Sequence, residues 1–248
     1  MSALAARRRS LLMDMAALAA TFHPPLQMTC PDGLPLACPL GQARPVGPGK
    51  LLIVFNHYSG TGVPAWWTAI ALGGALVRVG LTEPEPRWVM TDTLNYLGRL
   101  APLSQWVLRR IAWTYDAFPM PPMPPAPQDR QECAATVRYV IAFARQQPVA
   151  RVCLAPEGRD SGDGSLIAPP SGAGRFILQL CRAGMAVLPA GVCKDGGAWH
   201  VRFGSTFNLS APGDLSTDER DRWAAHRVMG AIADLLPRRL RGANQIFP

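Results

Sequence analysis

Short apolar runs alternate with helical stripes along most of the chain. Residues 51–55 are uninterruptedly apolar and end in Asn56-His57, as expected of a buried parallel strand that delivers polar residues at its carboxyl end. Pro64 near a first turn and the apolar run 65–79 predict a helix. The alternation continues with a strand over 87–91, a helix over 94–110 broken near Pro102, and a further strand over 111–115. Residues 120–127 are too rich in proline to be helix or central strand and read as a surface loop. Cys133, Val137, Val140, Ile141 and Ala144 then fall on one helical face. A strand follows over 152–155, a Gly-rich loop over 157–164, a helix over 172–182 and a strand over 186–190. Trp199, Val201 and Phe203 alternate with His200 and Arg202 as in a strand with one exposed face. A last helix carries Ala224, Val228, Ile232 and Leu235 on its apolar side.

This rhythm predicts an α/β fold: a mostly parallel sheet flanked by helices, with ligands meeting the carboxyl ends of the strands. The domain is expected over 50–248. Ahead of it, 1–49 reads as an amphipathic helix, with Leu11, Met15, Leu18 and Phe22 on one face, followed by an irregular lead-in over 24–49 rich in Pro and Gly. The basic cluster Arg7-Arg8-Arg9 before Leu11 resembles the start of a signal peptide, but Asp14 interrupts the apolar stretch. The helix is expected to pack on the domain or lie on a membrane surface. The uncharged stretch 58–77 is Gly-rich at its start and carries Pro64, which suits a buried helix better than a membrane span.

Charge narrows the partners. Lys and Arg number 25 against 17 Asp and Glu, a net charge of +8 and a pI near 9.7, so polyanions are attracted. The only lysines are Lys50 and Lys194, so the Lys-rich blocks that mark a nucleic-acid arm are missing and nucleic acid is not an expected partner. Anionic lipid or a phosphorylated substrate is the more economical reading, with an anionic membrane surface as one such partner. The six cysteines show no C-x-x-C pair and no histidine at zinc-finger spacing, which predicts no metal site and reduced thiols in the cytoplasm.

Two loops carry the chemistry: Asn56-His57-Tyr58-Ser59-Gly60 and Pro156-Glu157-Gly158-Arg159-Asp160-Ser161-Gly162-Asp163-Gly164. Each follows an apolar strand and leads to a helix, so both are expected at one crevice, where a neutral imidazole would face Arg, Ser and backbone N–H groups. That combination suits removal of a proton from an anionic substrate.

Over residues 51–192 the chain resembles the PlsC-like acyltransferases, the lysophosphatidate and glycerol-3-phosphate acyltransferases among them. Val54-Phe55-Asn56-His57 matches the start of that family's strand and N-H-x-x-x-x-D motif. Pro156-Glu157-Gly158-Arg159-Asp160-Ser161, then Gly164-Ser165-Leu166, Gly172-Ala173-Gly174-Arg175 and Val187-Leu188-Pro189 follow the order of its P-E-G-T-R-S loop, helix start and V-P strand. The resemblance implies His57 as general base on an acceptor hydroxyl that attacks the thioester of acyl-CoA or acyl-ACP, with no cofactor beyond that co-substrate. It implies Asn56, Ser59, Glu157, Gly158, Arg159, Asp160 and Ser161 as the substrate-binding set, a lysophospholipid or glycerol-phosphate-like acceptor, and attachment to the inner face of the cell membrane.

Two departures bear on the chemistry. The family's Asp falls on Gly62, so the carboxylate that orients the histidine must come from elsewhere, with Asp92, Asp116 and Asp160 as the candidates at predicted strand ends. In the second loop Arg159 stands on the family's Thr and Asp160 on its Arg. The middle motif has a loose counterpart at 111–116. A catalytically silent lipid-binding relative and a thioester hydrolase are therefore open alternatives. Ser171-Gly172-Ala173-Gly174-Arg175 hints at a phosphate loop but lacks the Gly-Lys-Ser/Thr ending of a nucleotide site.

Overall fold

The computed structural model describes residues 9–30, 49–60 and 63–242. Seven strands among them form one sheet in the order β1-β7-β6-β2-β5-β3-β4. They are β1 (Gln27–Thr29), β2 (Lys50–Phe55), β3 (Arg87–Thr91), β4 (Phe118–Met120), β5 (Arg151–Leu154), β6 (Met185–Asp195) and β7 (Ala198–Phe203). All neighbours run parallel except β6 and β7, which form an antiparallel hairpin. The mostly parallel sheet with helices on both faces is the α/β architecture that the alternating runs imply.

Six α-helices cover the faces: α1 (Leu11–Ala19), α2 (Trp66–Arg78), α3 (Ala101–Thr114), α4 (Arg130–Gln146), α5 (Ala173–Arg182) and α6 (Thr217–Asp234). The apolar run of β2 serves both faces because successive side chains point to opposite sides. Leu51, Ile53 and Phe55 enter the core with α1 and α2. Leu52 and Val54 enter the one with α4, α5 and α6. A period-2 pattern is absent from β2 because neither of its faces meets water.

α1 packs on α2 through the small residues Gly73 and Gly74: a Cβ on Gly73 would lie 2.7 Å from that of Met15, and one on Gly74 2.5 Å from that of Ala19. Leu12 and Ala19 are buried here, and Leu11, Met15 and Phe22 of the expected stripe pack on the same core, whereas Leu18 is exposed, a correction to that stripe. The stretch 24–49 is also not irregular throughout, since Gln27–Thr29 pairs with β7; residues 31–48 lie outside the described residues. No helix among the described residues is long and apolar enough to cross a membrane.

Two further expectations give way on the β4 side. Residues 111–114 continue α3, with Tyr115 as its carboxyl cap, instead of forming a strand, and Pro102 opens that helix after a 3-10 turn over Asn95–Leu100 instead of breaking it. Proline is tolerated in a first turn, where its missing N–H has no partner to lose. Asp116 then ends the helix with φ 55°, and Ala117 N–H donates to the Ala112 carbonyl at 2.8 Å. The strand itself is the three-residue β4, which includes Pro119 at the edge of the sheet, where a missing N–H costs least.

Candidate functional site

Strand order brings the two loops together. β2 lies between β5 and β6, and Val54 stands opposite Leu154 in the parallel pair. Three residues further along both chains, the same register sets His57 opposite Glu157. The His57 backbone N–H donates to Glu157 Oε1 at 2.6 Å, and the Ile167 N–H donates to Oε2 at 2.9 Å. Glu157 is 1% exposed. Its carboxylate thus clamps the residue that carries the imidazole to the return of its own loop.

Neighbouring residues stiffen the same corner. Asn56 donates from Nδ2 to the Val192 carbonyl at 2.9 Å and accepts from the Val192 N–H at 2.7 Å, closing the carboxyl end of β2 onto β6. Ser59 Oγ accepts from the Gly162 N–H at 3.2 Å, tying the first loop to the second. The Tyr58 ring lies against Gly164, where a Cβ would approach it to 2.6 Å, and its hydroxyl donates to the Lys194 carbonyl at 3.3 Å. Gly158 has φ 66°, and a Cβ there would meet that of Met123 at 2.7 Å, so the proline-rich segment after β4 backs this loop. The Ser161 hydroxyl turns inward beside Asp163. The Asp163 carboxyl is held down to about 2, chiefly by hydrogen bonds from the Ser165 hydroxyl and N–H.

Of the expected substrate-binding set, Asn56, Ser59 and Glu157 are committed to backbone partners and act as positioning groups. Arg159 and Asp160 are exposed at the rim, and Arg159 forms no ion pair among the described residues.

Burial dominates the electrostatics. It pushes the His57 imidazole below its ordinary value, opposed by the negative charge of Asp160, so the ring is held neutral and able to accept a proton. Burial pushes Glu157 up to about 7 against the two N–H bonds that favour its charged form. The His57 ring stacks near Phe55, centroids 6.3 Å apart and planes 24° apart, and no described residue hydrogen-bonds it.

The three carboxylates expected as substitutes for the family's Asp separate cleanly. Asp92 is buried and bound twice by Arg109, at 3.0 and 2.7 Å. It also lines a hollow of about 370 Å³ with Thr93, Gln105 and Glu132. Because β5 separates β3 from β2, it stands about 10 Å across the sheet from the end of β2. Asp116 precedes β4, so it lies at the amino edge of the sheet, where Arg87 holds it at 2.8 Å. Its expected place at a carboxyl end followed from reading 111–115 as a strand. Asp160 is the carboxylate whose charge acts on His57. Gly62 lies outside the described residues.

The hint of a phosphate loop at 171–175 has an internal answer. Asp221 of α6 accepts from the Gly172 and Arg175 N–H groups, both at 2.7 Å. The first turn of α5 is therefore already capped by a carboxylate.

Compared with known families and characterised proteins, the chain matches no family model and no curated relative. Sequence reading did not single out Tyr58, Ile167 or Val192 as parts of the site. The latter two act through backbone atoms, which leave no mark in residue type, and only Gly164 hinted that something large must pass close by.

Proposed function

We propose that the chain is an acyltransferase of the glycerolipid acyltransferase-like kind, moving a fatty acyl group from acyl-CoA or acyl-ACP to a hydroxyl of a lysophospholipid or glycerol-phosphate-like acceptor. The observation that carries this reading is the His57–Glu157 clamp, which joins the two motif-bearing loops at the carboxyl edge of the sheet. His57 takes the proton as the acceptor oxygen forms its bond to the thioester carbonyl carbon. The C–S bond then breaks, and the proton passes to the leaving thiolate. General base assistance of this kind supplies roughly 10²–10⁴-fold. Arg159, exposed and without a partner in an ion pair among the described residues, suits the acceptor's phosphate. Attachment to the inner face of the cell membrane, from the cytoplasm, belongs to the same proposal.

The test is thiol release by the purified full chain with acyl-CoA and lysophosphatidate or other lysolipids, beside His57→Ala. Turnover unchanged in that variant would sink the role of His57. A second reading, a lipid-binding relative without turnover, is favoured by one feature: no described carboxylate orients the His57 ring. It predicts retention of lipid with no thiol release. Acceptor-independent release of free fatty acid would mark a thioester hydrolase instead.

A further inference from the structure

Helix α3 is amphipathic in the reverse of the usual sense. The side turned to the protein carries Ser104 and Ala112, both buried, and Arg109 reaches from it to Asp92 and Glu132. Ser104 Oγ accepts from the Leu94 N–H at 3.1 Å and donates to the Ala101 carbonyl at 2.7 Å. The helix is thus held down by small residues and polar contacts.

The opposite side carries Leu103, Trp106, Val107, Arg110 and Trp113, spaced i, i+3, i+4, i+7 and i+10, which places them on one stripe. Trp106 is 68% exposed, Trp113 60% and Leu103 58%, and Leu97 and Leu100 of the preceding turn extend the patch. A water-facing helix is expected to be polar there, and a contiguous apolar patch of this kind marks an interaction surface.

Charge selects the occupant. Residues 95–115 contain Arg99, Arg109 and Arg110 and no acidic residue. The Arg110 guanidinium lies 4.6 Å above the Trp113 ring. Tryptophan bordered by arginine on an apolar stripe is the composition that settles at the headgroup level of a bilayer, where each basic residue gains from anionic lipid. Two arginines nearer the ends of the chain are engaged in ion pairs: Arg239 with Asp195 at 2.8 Å, and Arg9 with Asp14 at 3.1 Å.

We propose that the outward face of the Leu97–Trp113 segment docks onto an anionic lipid bilayer. Because α3 follows β3, its first turns lie at the carboxyl edge of the sheet, the edge that carries His57 and Glu157. Trp66, 55% exposed, opens α2 from that edge as well. Docking therefore brings lipid beside the edge that carries the candidate site. The proposal concerns binding alone and does not depend on acyl transfer.

The test is flotation of the full chain with phosphatidylcholine vesicles, with and without phosphatidylglycerol. The native chain is expected to float with the anionic vesicles, and His57→Ala to float equally well. Trp106→Ser with Trp113→Ser should lower the partition coefficient at least about tenfold, since burying a large apolar side chain exceeds the ~1.4 kcal/mol that a factor of ten requires. Arg99→Gln with Arg110→Gln should erase the preference for anionic lipid. Both pairs are exposed, so circular dichroism and melting should match the native chain. Unchanged flotation of the tryptophan variant would overturn the proposal. So would binding abolished by replacing Arg7, Arg8 and Arg9 while the α3 variants still float, or a concentration-dependent dimer that those variants dissolve with no vesicle binding by the native chain.

Discussion

Replacing Glu157 by Gln separates two effects that the structure sets against each other. The first is hydrogen bonding: both side-chain oxygens accept backbone N–H groups, from His57 and Ile167. An amide can offer one oxygen only, so one buried N–H meets an NH₂ group, at a cost of about 1–3 kcal/mol. The second is ionisation. The carboxyl moves from an ordinary 4.5 when unfolded to about 7 when folded, so the folded chain holds this proton more tightly than the unfolded one. The resulting stabilisation is complete below pH 4.5 and is lost as the pH rises to about 7, a change of about 3 kcal/mol at 1.36 kcal/mol per pH unit. Gln does not titrate.

The stability difference, native minus variant, should therefore shrink by about 3 kcal/mol between pH 4.5 and 7.5, which for a chain of this size is roughly 6–12 °C in melting temperature. Urea unfolding followed by tryptophan fluorescence across that range measures it. If the difference stays the same at every pH, Glu157 is ionised throughout, and the account of a carboxylate dominated by burial is wrong. Thiol release by the variant should also fall at every pH, because the His57 backbone loses its fixed acceptor.

Other perturbations follow from the structure. His57 is depressed by burial, so its contribution to stability is present above pH 6.5 and is lost as the pH falls; His57→Gln should flatten that acid-side loss in urea unfolding. With His57 as the proposed general base, the acid limb of kcat/KM should lie below pH 6.5, and Asp160→Asn, by removing the opposing charge, should move it lower still; a limb above 6.5 would contradict both. Asn56→Asp keeps the bond from the Val192 N–H but sets an oxygen against the Val192 carbonyl, so denaturation should show a loss of about 1–3 kcal/mol at neutral pH that is partly recovered in acid, where a protonated carboxyl donates again. A Cβ at Gly174 would fall on the Asp221 carbonyl oxygen, whereas one at Gly230, inside α6, meets nothing within 4 Å. Gly174→Ala should cost about 3 kcal/mol or more by overpacking, and Gly230→Ala should gain about 0.5–1 kcal/mol from helix propensity, so equal effects would refute the helix contact.

The centre of the sheet was legible because burial on both faces writes an unbroken apolar run, as in β2 and β5. Its edges were not. β1 and β4 are three residues each; one sits in a Pro- and Gly-rich stretch, and the other contains Pro119, so neither reaches the length at which a period can be read. The residues at 111–115 are Ile-Ala-Trp-Thr-Tyr, rich in strand-favouring types. They stay helical because extending an existing helix adds a hydrogen bond with each residue fixed, and Arg109 already anchors that helix to Asp92. A sequence reader also turns large apolar side chains inward, so the outward stripe of α3 could not be seen until Ser104 and Ala112 were found on the buried side.

At the candidate site, residue types were visible but their division of labour was not, because that division depends on crossover order. Only once β5 lies beside β2 does Glu157 reach the backbone of His57, and only once β6 lies on the other side does Asn56 find Val192. Both side chains would pass for ligand-binding groups in a motif, yet each is fully engaged by peptide groups. Among the described residues of the two loops, the His57 ring remains to meet a ligand, with Arg159 and Asp160 at the rim. Of these only the His57 ring can take up a proton as the proposed general base, and Glu157 fixes the backbone that carries it. On the proposed acyl transfer, the clamp of Glu157 is the feature whose loss should cost the most, more than the identity of the carboxylate nearest the ring.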